Sequence, residues 1–182
     1  LGYDGVTALG NNNFVIASEY DDVNSVDGAG SVMLIDGTSG AQIGTTLAGD
    51  ANEYLGYDAI TALGNNNFVI ASRYDDVGSV VDAGSVMLLN GATGAQIGST
   101  LAGDTAYDNL GSSSVTALGN NNFVIASYLD DVNSVTDAGS VMLIDGATGA
   151  QIGTTLAGDT AYDRLGYDGV TALGNNNFVI AS

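Results

Sequence analysis

The groups in this sequence that could do chemistry are carboxylates, and they recur at a fixed spacing. An Asp-Asp pair occurs three times in polar segments, and in two of the three an Asn follows two residues later. Closely spaced Asp and Asn side chains, with nearby carbonyl groups, supply the roughly six to eight oxygen ligands that Ca²⁺ takes. The pattern therefore predicts Ca²⁺ ligands at Asp21, Asp22, Asn24, Asp75, Asp76, Asp130, Asp131 and Asn133.

The same acidic loops have a simpler interpretation. No segment matches an EF-hand or a nonapeptide calcium repeat. Asp and Asn also make local hydrogen bonds to the backbone of solvated loops, with no metal involved. A second, less regular acidic cluster precedes each Leu-Gly dipeptide and is a weaker candidate for the same chemistry. Its members are Asp50, Asp104, Asp108, Asp159 and Asp163.

A pair of carboxylates can also hydrolyse glycosides as acid and base. Adjacent residues of an extended segment point in opposite directions, however, which separates Asp21 from Asp22. An active site needs unlike groups that converge on one pocket, whereas these loops are copies of one another. We therefore expect that the protein is not an enzyme.

Composition narrows the remaining classes of function. The 182 residues include no Cys and no His, which excludes thiolate nucleophiles, disulfides, zinc–cysteine sites and imidazole bases. With 2 basic and 21 acidic residues, the formal charge of −19 repels phosphate backbones and anionic lipids. No apolar run approaches the roughly 20 residues of a membrane helix. We expect no nucleic acid partner and no membrane insertion. A hydrophobic fraction of 45% predicts a folded chain.

The dominant feature of the sequence is an internal repeat. The string TALGNNNFVIAS occupies residues 7–18, 61–72, 116–127 and 171–182. This predicts repeat units at 1–54, 55–109 and 110–164 and a partial unit at 165–182, as in a window of a longer array. The first unit is one residue shorter than the next, and the difference falls just before Leu-Gly, which indicates a surface loop there.

Each unit has the pattern of four strands and no helix. Residues 6–9 and 14–18 flank a Gly-Asn-Asn-Asn turn, a hairpin signal because Gly and Asn tolerate positive φ. Residues 31–35 and 41–47 form the third and fourth strands, the fourth more exposed. The unbroken apolar runs of the second and third strands predict burial on both faces.

Four short strands in about 55 residues are typical of a β-propeller blade. The predicted fold is therefore all-β, with one four-stranded antiparallel blade per unit, in propeller-like or linear succession. The alternative is a β-solenoid in which each unit forms two coils. In either fold the acidic residues lie in loops, so that the charge is distributed along the array.

The unit resembles the FG-GAP repeat of integrin α-type propellers. The resemblance is carried by the Leu-Gly-Tyr opening at residues 1–3 with its apolar strand, by the strand at 14–18, and by the small-residue strand at 29–34. It implies a propeller and, by similarity to long bacterial surface proteins, a secreted adhesion or matrix role. The calcium loop of many such repeats would fall at Gly-Asn-Asn-Asn, residues 10–13, which lacks a carboxylate, so that site is not carried over.

These observations predict a structural or adhesive repeat module of an extracellular or cell-surface bacterial protein, self-assembling into a fibre or matrix. Its partners would be copies of itself or neighbouring repeats. The alternative is a ligand-binding propeller domain of an adhesin, in which tyrosines beside Asp and Gly contact a surface glycan or a protein. No cofactor is expected apart from the Ca²⁺ of the acidic loops. The tyrosines in question are Tyr3, Tyr20, Tyr57, Tyr74, Tyr107, Tyr162 and Tyr167.

Overall fold

Turns rich in Gly and Asn divide the chain into short strands, as the sequence predicts. In a computed structural model that describes residues 5–182, three units each form a four-stranded antiparallel sheet and a fourth contributes two strands. The predicted opening of the first unit, with Tyr3, lies outside the described residues. The first sheet contains β1 (Val6–Ala8), β2 (Phe14–Ser18), β3 (Ser31–Ile35) and β4 (Gln42–Ala48).

The later units repeat this order. The second sheet contains β5 (Ala59–Ala62), β6 (Phe68–Ser72), β7 (Ser85–Leu89) and β8 (Gln96–Ala102). The third contains β9 (Ser114–Ala117), β10 (Phe123–Ser127), β11 (Ser140–Ile144) and β12 (Gln151–Ala157), and β13 (Val170–Ala172) pairs with β14 (Phe178–Ile180). Within each sheet, every strand pairs with the one that follows it along the chain. The all-β class is confirmed, and the solenoid alternative, with its parallel coils, does not describe these sheets.

The Asn-rich turn closes each first hairpin as expected. In the first unit Asn12 takes a left-handed φ of 70°, and the N–H of Leu9 donates to the carbonyl of Asn13 at 2.8 Å. This bond ends β1 one residue earlier than predicted.

The fourth strand carries a bulge opposite β3, near Gly44, whose φ is 71°. Such bulges shorten the regular ladder available at an exposed sheet edge.

The sheets stack face to face, and the apolar core lies between them. Val15 and Leu34 of the first unit pack in one cluster with Phe68 and Ile70 of the second. Because its neighbours cover both faces, β6 is buried at every position, as is β10. Burial on both faces is therefore confirmed for the interior sheets. In β2, by contrast, Phe14 remains partly exposed.

First strands of successive units lie side by side, and the fourth strands are exposed. The hydroxyl of Thr61 in β5 donates to the carbonyl of Val115 in β9 at 3.1 Å, and Thr116 repeats this bond to Val170 at 3.1 Å. A second link joins units where the N–H of Leu55 donates to the carbonyl of Ala29 at 3.0 Å. These links give every unit the same orientation to its neighbour along the chain.

The described strands contain no charged residue, so the charged residues of positions 5–182 all lie in loops. Within residues 5–182 the structure contains no helix that is long and apolar enough to span a membrane.

Candidate functional site at the junctions between units

The first Asp of each predicted pair anchors its loop to the third strand. One oxygen of Asp21 accepts the hydroxyl of Ser31 at 2.6 Å, and the Asp21 carbonyl accepts the N–H of Gly30 at 3.0 Å. The backbone bond recurs in the later units, from Gly84 to Asp75 and from Gly139 to Asp130. The first Asp therefore lies at the base of the loop.

The second Asp of each pair closes the loop on itself. The Oδ1 atom of Asp22 accepts the N–H of Gly28, six residues later, at 2.8 Å. The same bond measures 2.7 Å from Asp82 to Asp76 and from Asp137 to Asp131. The two members of each pair thus contact different partners, as the extended geometry predicts.

The Asn of the motif occupies a left-handed turn. Asn24 and Asn133 both have φ of 54°, and the second unit has Gly78, with φ of 68°, at this place. Asn and Gly are the residues that tolerate this conformation at least cost. Backbone geometry alone therefore accounts for the choice of Asn here.

The two acidic clusters, which look separate in the sequence, meet where units adjoin. Carboxylate oxygens of Asp104 and Asp108, from the loop after β8, lie within 4.8 Å of one another and of an oxygen of Asp130 in the next unit. In the described part of the chain, no other three acidic side chains come together in this way. A cleft of about 250 Å³ beside them is also lined by Asp131 and Asn133.

Asp108 is the structural centre of this junction. Its side chain is 1% exposed. One oxygen accepts the N–H groups of Asp104 and Thr105 at 2.9 and 2.7 Å. The other accepts the Thr105 hydroxyl at 2.5 Å and the N–H of Asp131, in the next unit, at 3.1 Å. A carboxylate that accepts four donors from two units holds their loops together.

The charged form of Asp130, in contrast, is destabilised by its surroundings. Burial raises its pKa to about 6, and the charges on Asp108 and Asp104 act in the same direction. Like charges that share a site disfavour ionisation, so the junction stores electrostatic repulsion at neutral pH.

The junction between the first two units contains Glu53, which was not among the site residues predicted from the sequence. Its carboxylate accepts the N–H groups of Asp50 and, across the junction, of Asp76. With Asp75 it lines a cleft of about 220 Å³. Burial raises the pKa of Glu53, as do the charges on Asp75 and Asp50. Glu stands in the loop that is one residue shorter, where its extra methylene extends the reach of the carboxylate.

The carboxylates of Asp104, Asp108 and Asp130 could supply oxygen ligands to a cation, but they differ in how many of their oxygens are already hydrogen bonded. The four donors on Asp108 already occupy its oxygens, which leaves those of Asp104 and Asp130. Ca²⁺ would draw its further ligands from carbonyl groups and water. Of the eight residues predicted as Ca²⁺ ligands, only Asp130 belongs to the group of three; Asp104 and Asp108 come from the second, weaker cluster, and Ca²⁺ binding stays a prediction.

Asn side chains of the hairpin turns connect neighbouring units, a role that turn chemistry alone does not reveal. The amide groups of Asn11 and Asn13 donate to the carbonyl of Gly91, in the next unit, at 3.1 and 2.8 Å. In the next junction Asn65 and Asn67 donate to the carbonyl of Gly146 at 3.0 and 2.9 Å. The only sequence signal for this role is that every unit has three consecutive Asn residues, whereas a tight turn requires only one.

Arg73 and a group of tyrosines lie beside the first junction. The Arg73 side chain forms an ion pair with Asp58, and its guanidinium lies 5.6 Å from the ring centre of Tyr57 and 5.9 Å from that of Tyr74. Tyr54 contacts Tyr74 edge to face, with ring centres 6.1 Å apart. Burial raises the pKa of Asp58 although Arg73 opposes the shift. These contacts make one continuous aromatic surface across the junction.

Comparison with known proteins identifies the repeat. Residues 8–46, 62–112 and 117–167 match the family described as "Repeat of unknown function (DUF5650)". These three copies cover most of the chain, which therefore belongs to this repeat family. No curated protein matches the sequence.

Proposed function

We propose that this member of the DUF5650 repeat family is a structural repeat module of an extracellular or cell-surface bacterial protein, and that it self-assembles into a fibre or matrix. The stacked sheets provide a rigid support, and the acidic loops are presented at regular intervals along it. In this proposal the repeats have no catalytic role.

The observation that carries the proposal is the recurrence of the same Thr contact at successive junctions. Thr61 and Thr116 make the same bond to residues 54 positions later in the sequence. Contacts between neighbouring repeats supply much of the stability of such arrays. A surface that already binds one copy of the unit is suited to bind further copies. The resemblance to FG-GAP repeats of bacterial surface proteins supports the extracellular location.

The proposal is tested by the size of the purified chain in solution. We expect sedimentation velocity to give species heavier than the 18.2 kDa monomer, in amounts that grow with protein concentration. Electron microscopy of the same samples should show particles with a regular axial repeat. A single monomer species at every concentration would refute assembly.

One observation favours the alternative, a ligand-binding domain of an adhesin. Tyr107 and Tyr162 are 62% and 65% exposed and adopt left-handed φ values of 71° and 67°, which bulky residues rarely do. Asn52, a residue suited to this φ, takes the same place in the first unit, with φ of 64°. Strained residues cluster at functional sites. These two exposed rings are therefore the candidate contacts to a glycan or protein.

The alternative predicts that one substitution can abolish ligand binding without lowering the stability of the protein. The double variant Y107N/Y162N relieves the strain, so it should be at least as stable as the wild type in thermal unfolding. It should nevertheless lose retention on an array of immobilised bacterial polysaccharides that retains the wild type. Wild-type protein that binds none of them, or unchanged binding by the variant, would count against this role for the tyrosines.

A further inference from the structure

The carboxylate of Asp130 is held against two like charges at the second junction. One of its oxygens lies within 4.8 Å of oxygens of Asp104 and Asp108, which belong to a loop of the preceding unit. The four donors on Asp108 fix the position of that loop. Because like charges repel, these contacts are unfavourable for Asp130 by themselves. The fold thus brings carboxylates from two units to one point against their mutual repulsion.

A buried hydroxyl without a partner lies beside the Asp130 carboxylate. Ser140 is 1% exposed, and its Oγ atom makes no hydrogen bond within residues 5–182. Burial raises the pKa of Asp130, and the Ser140 hydroxyl is close enough to oppose this shift. In the first unit the equivalent pair is hydrogen bonded, since Ser31 donates to Asp21 at 2.6 Å. A buried polar group that lacks a protein partner points to a water molecule or an ion at the site.

The first junction has the same combination of an acidic cleft and a buried hydroxyl. Ser72 is 1% exposed, has no partner in the described part of the chain, and lines the cleft of about 220 Å³ together with Glu53 and Asp75. Ser85, directly opposite Ser72 in the sheet, is also buried without a partner there. Both clefts lie between two complete four-stranded units. The unpartnered hydroxyls are therefore a feature of the junctions.

The geometry of the second junction suits a divalent cation with oxygen ligands. Two oxygens that each lie about 2.4 Å from one Ca²⁺ are at most about 4.8 Å apart. The three carboxylates meet this limit. The cleft beside them, of about 250 Å³, also admits water molecules and is lined by Asn133, whose side chain carries a further oxygen. Ca²⁺ accepts such a mixed and irregular set of ligands, whereas Mg²⁺ requires a nearly ideal octahedron at shorter distances.

We propose that Ca²⁺ binds between the second and third units, with the carboxylates of Asp104 and Asp130 as its ligands from the two sides. Asp108 keeps its four donors and positions the loop that carries Asp104. A water molecule bound to the ion supplies the partner that the Ser140 hydroxyl lacks. Because its ligands come from two units, the ion links them and stabilises the folded array. The site goes beyond the proposed function, since it does not require that copies of the chain associate.

Calorimetric titration with Ca²⁺ tests this site in the intact chain. The protein is first freed of metal with EDTA and kept in about 0.15 M NaCl, which screens its net charge. We expect saturable binding with a dissociation constant of about 10⁻⁴–10⁻³ M, and a Tm that rises with the Ca²⁺ concentration. D104N/D130N should raise the dissociation constant at least about tenfold. D36N/D145N is the matched control, because it removes two charges from turns in which the second unit has Asn90.

The control should bind Ca²⁺ like the wild type. A wild-type protein that shows neither binding heat nor a change of Tm at millimolar Ca²⁺ would overturn the proposal. Unchanged binding by D104N/D130N would also overturn it, as would an equal loss in D36N/D145N, because binding would then depend on net charge alone. An equal response to Mg²⁺ would overturn the choice of Ca²⁺. Circular dichroism checks that each variant folds, and D104N alone, at an exposed position, repeats the test if the double variant does not fold.

Discussion

The role of a carboxylate in these loops depends on the donors around it. Asp108 accepts four donors and is buried, whereas Asp130, within 4.8 Å of it, faces other carboxylates. Hydrogen bonds stabilise an ionised carboxylate, and neighbouring negative charges destabilise it. Two residues of the same type at one junction therefore have opposite effects on stability.

Asp130→Asn should stabilise the protein at neutral pH. Burial and the charges on Asp108 and Asp104 raise the pKa of Asp130 from 3.8 to about 6. The folded protein thus binds this proton more tightly than the unfolded chain, so wild-type stability rises as the pH falls from about 7 to about 4. D130N lacks that gain and should have a free energy of unfolding about 1 kcal/mol higher at pH 7, after allowance for solvent screening.

Urea unfolding of both proteins at several pH values measures this difference. Asp145→Asn is the control, because Asn90 takes the place of Asp145 in the second unit and accepts the corresponding N–H at 2.9 Å. Hydrogen bonds from the Ala147 and Thr148 N–H groups lower the pKa of Asp145, so its contribution is lost only as the pH falls through that lowered value. D145N should leave the profile between pH 4 and 7 nearly unchanged. A D130N protein that is less stable than wild type at pH 7 would contradict the prediction.

At the scale of the element, one turn both closes a hairpin and joins two units. Asn67 is 8% exposed and donates across the junction to Gly146, whereas Asn177, at the same place in the last unit, is exposed. Asn67→Ala leaves the hairpin backbone bond intact but removes one of the two bonds that the Gly146 carbonyl accepts across the junction, while the bond from Asn65 remains. A single intramolecular hydrogen bond contributes about 0.5–1.5 kcal/mol to stability.

We therefore expect N67A to lower the free energy of unfolding by about 0.5–1.5 kcal/mol, and N177A by much less. Equilibrium unfolding in urea, with equal m-values, gives both numbers. Equal losses in the two variants would mean that this Asn acts only within its own turn.

The strands were predictable because their signals are local. The second and third strands, residues 14–18 and 31–35, were located without error, and the fourth was shifted by one residue. The link from Asn67 to Gly146 was not predictable, since it spans 79 residues and near-identical units offer the same partner at several distances. Glu53 was missed for a related reason: only the geometry of the junction shows that a shorter loop needs a longer side chain.

Across the whole molecule, stability is distributed through the junctions. Within residues 5–182, the second and third sheets are covered on both faces, whereas the first sheet and the last strand pair are covered on one face. Local opening is easiest where few apolar contacts must be broken. Opening of the last strand pair exposes one cluster, whereas opening of β10 exposes two.

Amide hydrogen exchange should be fastest in the strands whose opening exposes the fewest apolar clusters. In dilute wild-type protein the amides of β14 should exchange at least about tenfold faster than those of β10, because one-sided cover lowers the free energy of local opening. Equal protection of β14 and β10 in the monomer would contradict this prediction. It would show that the junctions contribute much more free energy than the individual sheets, so that the array opens only as a whole. In that case the last strand pair would be as well ordered as the interior strands, although nothing covers its second face.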